Sequence, residues 1–354
     1  VTIQPDGRFL MVGQNTVSSV NHPLIERIYG AAPYKPGYAQ FPVIGVVGTL
    51  DTTLNPASGV LDFAVAYPSA ALEGYTAKRM YTYADGRMLF ALDNGTAMYL
   101  MRIYKDGTLD TSFNSEGLVS ADPAGTVTSL VVDSNQNIYV GGSVEVLDSN
   151  NWVMALRNDG TSIFNASGNL PHGGYAMAVQ SMGRTLMSGI ATNGTIVSYT
   201  TSGELDPEFG IDGVFTLEEA AFAGVPIADI AVNNLDQIAI ITVLEGVTNV
   251  NLLDASGSIV LTTVASGDGI SNVTGNQVRI TFDNEGYIVI AAATSTGFQL
   301  KRYDLVGHLV ASSNNINAST FQMANMYALS SNKILVVGYT TGCYKVLARF
   351  NADL

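Results

Sequence analysis

The chain repeats one phrase seven times along its 354 residues. Each copy opens with an apolar strand, a polar or glycine turn and a second apolar strand. The first three copies read VTIQPDGRFLMVG at Val1–Gly13, MYTYADGRMLFAL at Met80–Leu92 and SLVVDSNQNIYVGG at Ser129–Gly142. The series continues with YAMAVQSMGRTLMSG at Tyr175–Gly189 and DIAVNNLDQIAIIT at Asp229–Thr242. It closes with VRITFDNEGYIVIAA at Val278–Ala292 and MYALSSNKILVVGY at Met326–Tyr339. Taking Gly7, Gly86, Gln136, Gly183, Asp236, Gly286 and Asn332 as markers, the spacings are 79, 50, 47, 53, 50 and 46. A period of that size marks an array of supersecondary units, none of which can bury its apolar face alone.

Several strands are continuous apolar runs rather than alternating ones, such as Ile138-Tyr139-Val140, Ile238-Ala239-Ile240-Ile241 and Ile334-Leu335-Val336-Val337. Such strands are covered on both faces, as the inner strands of stacked sheets must be. The turns carry Asp6-Gly7, Asp85-Gly86 and Glu285-Gly286, where glycine supplies a positive φ. Where glycine is missing, Asn135, Asn234 and Asn332 are expected to take its place.

The second half of each unit is another strand and turn. It is clearest at Tyr99–Phe113, Trp152–Phe164 and Phe298–Leu309, and weaker at Ser198–Phe209 and Val250–Leu261. Four short antiparallel strands per unit, at this period, predict an all-β, seven-bladed β-propeller. The last copy, YKVLARFNADL, stops on its turn, so the seventh blade is expected to hold three strands unless residues preceding Val1 complete it. The repeats divide approximately at 1–75, 76–125, 126–172, 173–225, 226–272, 273–320 and 321–354, within one expected domain over 1–354. Only FTLEEAAFAG at Phe215–Gly224 has helical propensity. The long first interval holds an insertion at Gln14–Gln40, and a smaller departure lies at Val144–Asn151.

Composition narrows the partners. Apolar residues make up 47% of the chain, enough for a large core, so disorder is excluded. Charged residues are only 13%, leaving Asn, Ser, Thr and Gly to cover the surface. The net charge of −14 comes from 16 basic and 30 acidic side chains, with no cluster of Lys and Arg to displace counterions from nucleic acid. A cationic partner is compatible with that charge, although solubility explains it equally. The single cysteine, Cys343, permits no internal disulfide and reads as a small strand residue. No apolar stretch has the length of a membrane span, so no membrane insertion is expected, and no stretch of the given residues reads as a signal peptide. The start at Val1 rather than Met suggests an upstream piece that was removed. The sequons at Asn94, Asn165, Asn193, Asn272 and Asn317 follow almost automatically from an Asn/Ser/Thr-rich composition. A monomer is expected.

The phrase DGTLDTSFNSEGLV at Asp106–Val119, with GELDPEFGIDGV at Gly203–Val214 and VGTLDTTLNPASGV at Val47–Val60, resembles the delta-60 repeat. QPDGRFLMVG at Gln4–Gly13, KILVVG at Lys333–Gly338 and ARFNADL at Ala348–Leu354 fit the same pattern. Repeats three, five and six lack the Leu-Asp-x-x-Phe element, and Asp133–Val140 is similar to an NHL-type repeat. The resemblance implies a bacterial secreted or surface propeller without a shared enzymatic activity. Physically, Leu109 and Phe113 would pack between blades, and Asp110 would accept backbone N–H bonds in its turn. Leu205, Asp206 and Phe209 should do the same. One carboxylate per loop, without a DxDxDG pattern, is a weak offer to calcium, so no metal or other cofactor is expected.

No constellation for catalysis emerges. His22, His172 and His308 lie in different units without HxxH or HExxH spacing. No GxSxG elbow and no GxxxxGK[ST] loop occurs. Two carboxylates facing a channel would suffice for a lyase or glycosidase, but no spacing singles out such a pair. Three readings stand. The first is an exported or cell-surface interaction module that binds a protein or glycan through one propeller face. The second is a hydrolase or lyase with its site at the central channel mouth, and the third is a host-directed effector scaffold. For the binding module, the inserted loop with Tyr29, Tyr34, Tyr38 and His22 is the expected contact region.

Overall fold

The structure is a computed structural model, and it describes residues 2–4, 7–28, 50–54, 58–121, 125–143, 150–171, 174–189, 194–217, 224–262, 269–317, 320–329, 332–340, 345–351 and 354. The fold is an all-β, seven-bladed propeller. Its sheets occupy residues 2–62, 76–121, 126–171, 174–216, 227–262, 273–317 and 322–351, so each falls inside one sequence repeat. Strands follow chain order within each sheet. Blades 1 to 5 hold four strands, and blade 7 holds three. Blade 6 has four in order, and a short fifth segment, Ile316–Asn317, pairs with its third strand. Two compact units share these sheets: Val1–Leu147 with Trp152–Asn165, and Asp148–Asn151 with Ala166–Leu354.

The seven marker positions share one backbone conformation. Gly7, Gly86, Gln136, Gly183, Asp236, Gly286 and Asn332 all have φ between 53° and 90°. In blade 3, Gln136 N donates to Asp133 O and Asp133 N donates to Asn137 O, and the same pair of bonds recurs in blades 1, 2, 4, 5 and 6. That is a type I turn closed by a left-handed residue, which keeps the strand twist continuous. In blades 3 and 5 the residue that replaces glycine is therefore Gln136 and Asp236, not the expected Asn135 and Asn234. The reason is register: the left-handed position is fixed three residues after the one that opens the turn, Asp133 or Asn233, and two before the next strand, whichever side chain falls there. Gln136 is exposed and spends no side-chain bond on the turn, so Gln136→Gly should raise stability by about 0.5–1 kcal/mol. Urea midpoints would check this, and an unchanged or lower midpoint would contradict it. Asp236 gains from its side chain, which accepts bonds from Ser181 N at 2.7 Å and Ser181 Oγ at 2.6 Å.

The described part of the insertion, 14–28, is strand and hairpin tip. Phe9–Val17 and Val20–Ile28 form a long hairpin, with Ser18 and Ser19 both left-handed at its tip. Gln14–Ile28 thus extends two blade strands, which a pattern search for turns reads as excess length. Of the helical signal at Phe215–Gly224 only the ends are described: Phe215 and Thr216 belong to Val214–Thr216, the fourth strand of blade 4, and Leu217 is coil. Residues 218–223 lie outside the described set. Among the described residues a short helix lies at Phe63–Ala66, where Asp62 caps the first turn by accepting from Ala64 N at 3.0 Å. No helix among the described residues is long and apolar enough to cross a membrane.

Burial follows the repeats. In blade 3, Ile138, Tyr139 and Val140 are all buried, and burial pushes the Tyr139 hydroxyl up to about 12. Within the first unit one cluster packs blade 1 on blade 2, and a second packs blade 2 on blade 3. Within the second unit, clusters join blades 4 and 5, 5 and 6, and 6 and 7.

Candidate functional site: a polar cleft between blades 5 and 6

The repeated aspartates are occupied by structure. In blade 2, Asp110 Oδ1 accepts from Ser112 N at 3.1 Å and Ser112 Oγ at 2.5 Å. Its Oδ2 faces Arg102 Nε at 2.7 Å and Arg87 at 3.3 Å. Burial alone would raise this carboxyl, but the Ser112 and Tyr104 hydroxyls and the Arg102 charge outweigh it, holding Asp110 well below the usual carboxylate range. Blade 1 repeats the arrangement, with Asp51 Oδ2 at 2.8 Å from Arg27 and 2.7 Å from Arg8. In blade 4, Arg184 pairs with Asp206. The arginines then reach the next blade. Arg27 donates to Lys105 O, Arg102 to Asn158 O and Arg184 to Ala255 O, three equivalent carbonyls in the outer turn of the following blade.

Blades 1, 2 and 4, which carry Leu-Asp-x-x-Phe or its variant, place Arg8, Arg87 and Arg184 at the end of the inner turn. Blades 3, 5 and 6 lack that element and put an Asp or Asn at the turn's start. There Asp133, Asn233 and Asp283 each accept two backbone N–H groups of their own turn. These six blades thus divide equally between two ways of tying one turn.

The aromatic residues of the element are packed. Phe113 and Phe209 are fully buried, and each ring meets the glycine of the next blade's outer turn, Gly160 and Gly257 respectively. Leu54 takes the same place in blade 1, against Gly107. Leu109 packs on the cluster of blades 1 and 2, and Leu205 bridges to Tyr199. His22 lies in a strand, not a loop, and its Nδ1 is 3.1 Å from Asp62 Oδ2. Tyr29, Tyr34 and Tyr38 lie outside the described residues, as do His172 and Cys343. His308 is in an exposed turn, 3.0 Å from Asp304. Among the described residues, no three His, Cys, Asp or Glu side chains gather to hold a metal ion.

A cleft of about 700 Å³ opens where three turns meet: Asn233–Gln237 of blade 5, and Asp283–Tyr287 and Asp304–His308 of blade 6. Arg302, which is not itself part of the lining, ties together three residues that are. The guanidinium lies 2.7 Å from Asp283 Oδ2 and 2.6 Å from Glu285 Oε2, and sits 3.8 Å from the centre of the Tyr287 ring. Burial would lower Arg302, but its bonds to Glu285 and Asp283 outweigh that and raise it. Glu285 Oε1 accepts from Asn332 at 2.5 Å, and Asn284 donates to Leu329 O at 2.5 Å, which fixes this turn against blade 7. Burial pushes Asp304 up, yet the N–H of His308 and its neighbours hold it below the ordinary range. The cleft was not legible in the sequence beforehand. The signal that could have pointed to it is Tyr287, in the slot where repeats 1, 2 and 4 carry arginine.

Comparison with protein-family models gives no match, and no curated protein matches the chain. Solved structures do. The Dos1 propeller aligns with a TM-score of 0.56 at 9% identity, over 99% of this chain and 85% of that one. Virginiamycin B lyase from Staphylococcus aureus aligns with a TM-score of 0.51 at 10% identity, over 78% of this chain and 84% of that one. The PQQ-bound aldose sugar dehydrogenase from Streptomyces coelicolor gives 0.51 at 12% identity, over 78% and 93%. At such identities the likeness establishes the propeller fold and nothing finer.

Proposed function

We propose that this chain is a non-enzymatic binding module of delta-60 repeat type, exported or displayed at a cell surface, which holds a protein or glycan on its turn-bearing face. The carrying observation is the blade 5–6 cleft, a preformed concavity of about 700 Å³ whose size falls in the range of small-ligand sites. Its charged groups support holding rather than proton transfer. Asp283 and Glu285 are both engaged by Arg302, and Asp304 is engaged by its own turn and His308. A general acid needs a carboxyl whose affinity for a proton is raised, and Asp304 is shifted the other way. Export agrees with the composition, and so does the delta-60 pattern of repeats 1, 2, 4 and 7.

The test is saturable binding to a glycan array and to purified envelope proteins, comparing wild type with the double variant Asn234→Ala, Leu235→Glu. Both positions are exposed, so folding should be unchanged. Weakened retention of one defined ligand, recovered chemically intact, is the expected result. A ligand recovered cleaved or eliminated would mean a hydrolase or lyase. Retention that ignores the double variant would move binding elsewhere, with Tyr29, Tyr34 and Tyr38 as the next substitutions. Deleting 14–40 is not a clean test, because it removes strand residues of blade 1.

A further inference from the structure

Building on the binding-module reading, we propose that the blade 5–6 cleft is a carbohydrate site that takes neutral sugar rings against Tyr287. The ring is placed in advance. Arg302 covers one side at 3.8 Å and is itself clamped by Asp283 and Glu285, so little side-chain freedom is lost when a ligand arrives. A rigid aromatic surface at the wall of an open cleft suits the C–H face of a pyranose. Sugars also need hydrogen-bonding groups at the ring's edge. The Tyr287 hydroxyl and the Asn234 amide both have no protein partner among the described residues, and both line the cleft. Leu235 beside Asn234 adds an exposed apolar contact to the lining of the cleft. Apolar faces edged by unspent hydrogen-bonding groups match the amphipathic surface of a sugar.

A cationic ligand fits less well despite the chain's charge of −14. Asp283 and Glu285 already share a guanidinium, so a ligand ammonium would have to displace a bond of 2.6–2.7 Å. Neutral hydroxyls need no such exchange. The size of the cleft accommodates more than one ring, which points to an oligosaccharide rather than a monosaccharide.

The experiment is calorimetry and saturation-transfer NMR on the full chain, with cellotriose, maltotriose and N-acetylated chitotriose as probes and trilysine as the cationic control. At least one neutral trisaccharide should saturate, and Tyr287→Ala should weaken it by about tenfold. Tyr287→Phe, which keeps the ring and loses only the hydroxyl, should bind within a few-fold of wild type and shows that the fold survives at this position. Binding of trilysine alone, no binding of any neutral probe, or equal affinity in folded Tyr287→Ala would each overturn the assignment. If the sugars fail while a defined envelope protein still depends on Asn234 and Leu235, the carbohydrate assignment falls and the binding-module reading stands. If a probe binds through Tyr287 but is recovered cleaved, the site stands and the non-enzymatic reading falls.

Discussion

Phe113→Ala is expected to destabilise the chain by about 3–5 kcal/mol, the loss typical of deleting a fully buried ring whose site cannot collapse. Collapse is blocked here by construction. The ring is fully buried in the cluster that holds Leu100, Ile138, Trp152 and Met154. Its edge lies against Gly160, which sits at φ +88° in a turn that only a residue without Cβ occupies cheaply. Arg102 stacks over it at 4.6 Å, so the cavity would also expose a guanidinium that is otherwise shielded. Phe209→Ala should behave alike in the second unit, where the partner glycine is Gly257. Trp152, the chain's single tryptophan, belongs to the same cluster as Phe113 and reports its unfolding directly. A loss under about 1 kcal/mol in a denaturant titration would place the ring outside the blade interface.

Asp110→Ala should be as severe, at about 3–5 kcal/mol, because it strands a buried cation. Arg102 is almost fully buried and takes its charge balance from Asp110. The same pair ties blade 2 to blade 3, since the Arg102 guanidinium also donates to the Asn158 side chain at 2.8 Å. Asp110→Asn, which keeps the shape, should lose less and should change the acid response. The folded carboxyl lies below its unfolded value of about 3.9, so the unfolded chain takes up the proton first. The stability it contributes is therefore complete above about pH 4 and is lost as pH falls through the lower folded value. Urea midpoints between about pH 7 and about pH 2 should fall less steeply on the acid side in Asp110→Asn than in wild type. Parallel acid limbs would mean that Asp110 is not the titrating group.

The inner-turn markers show how far local chemistry reached. The seven turn positions aligned from the repeated phrase are all left-handed, because a tight hairpin with a following bulge admits one such residue at one place, although in blades 3 and 5 residue preference had pointed to Asn135 and Asn234. The Leu-Asp-x-x-Phe element was equally legible as a packing unit, since a Phe at fixed distance from a turn Asp must go where the neighbouring blade leaves room. What a linear pattern could not show was the partner of that Asp. Arg102 is eight residues away and Arg87 twenty-three, and blade 4 replaces the strand arginine with Ser198. Nor could it show that Gln14–Ile28 continues a sheet, since an overlong hairpin and an inserted loop have the same length.

Local chemistry was enough for the four-strand plan of the repeats, the turn conformation and the strands buried on both faces, because each depends on interactions within a few residues; the fifth segment of blade 6, Ile316–Asn317, was not legible that way. Only the tertiary structure decided which turns from adjacent blades meet, and so produced the cleft around Tyr287. That juxtaposition brings Asn234 and Leu235 of blade 5 to Tyr287 of blade 6, some fifty residues on, and is set by how blade 5 packs on blade 6 and by no local rule.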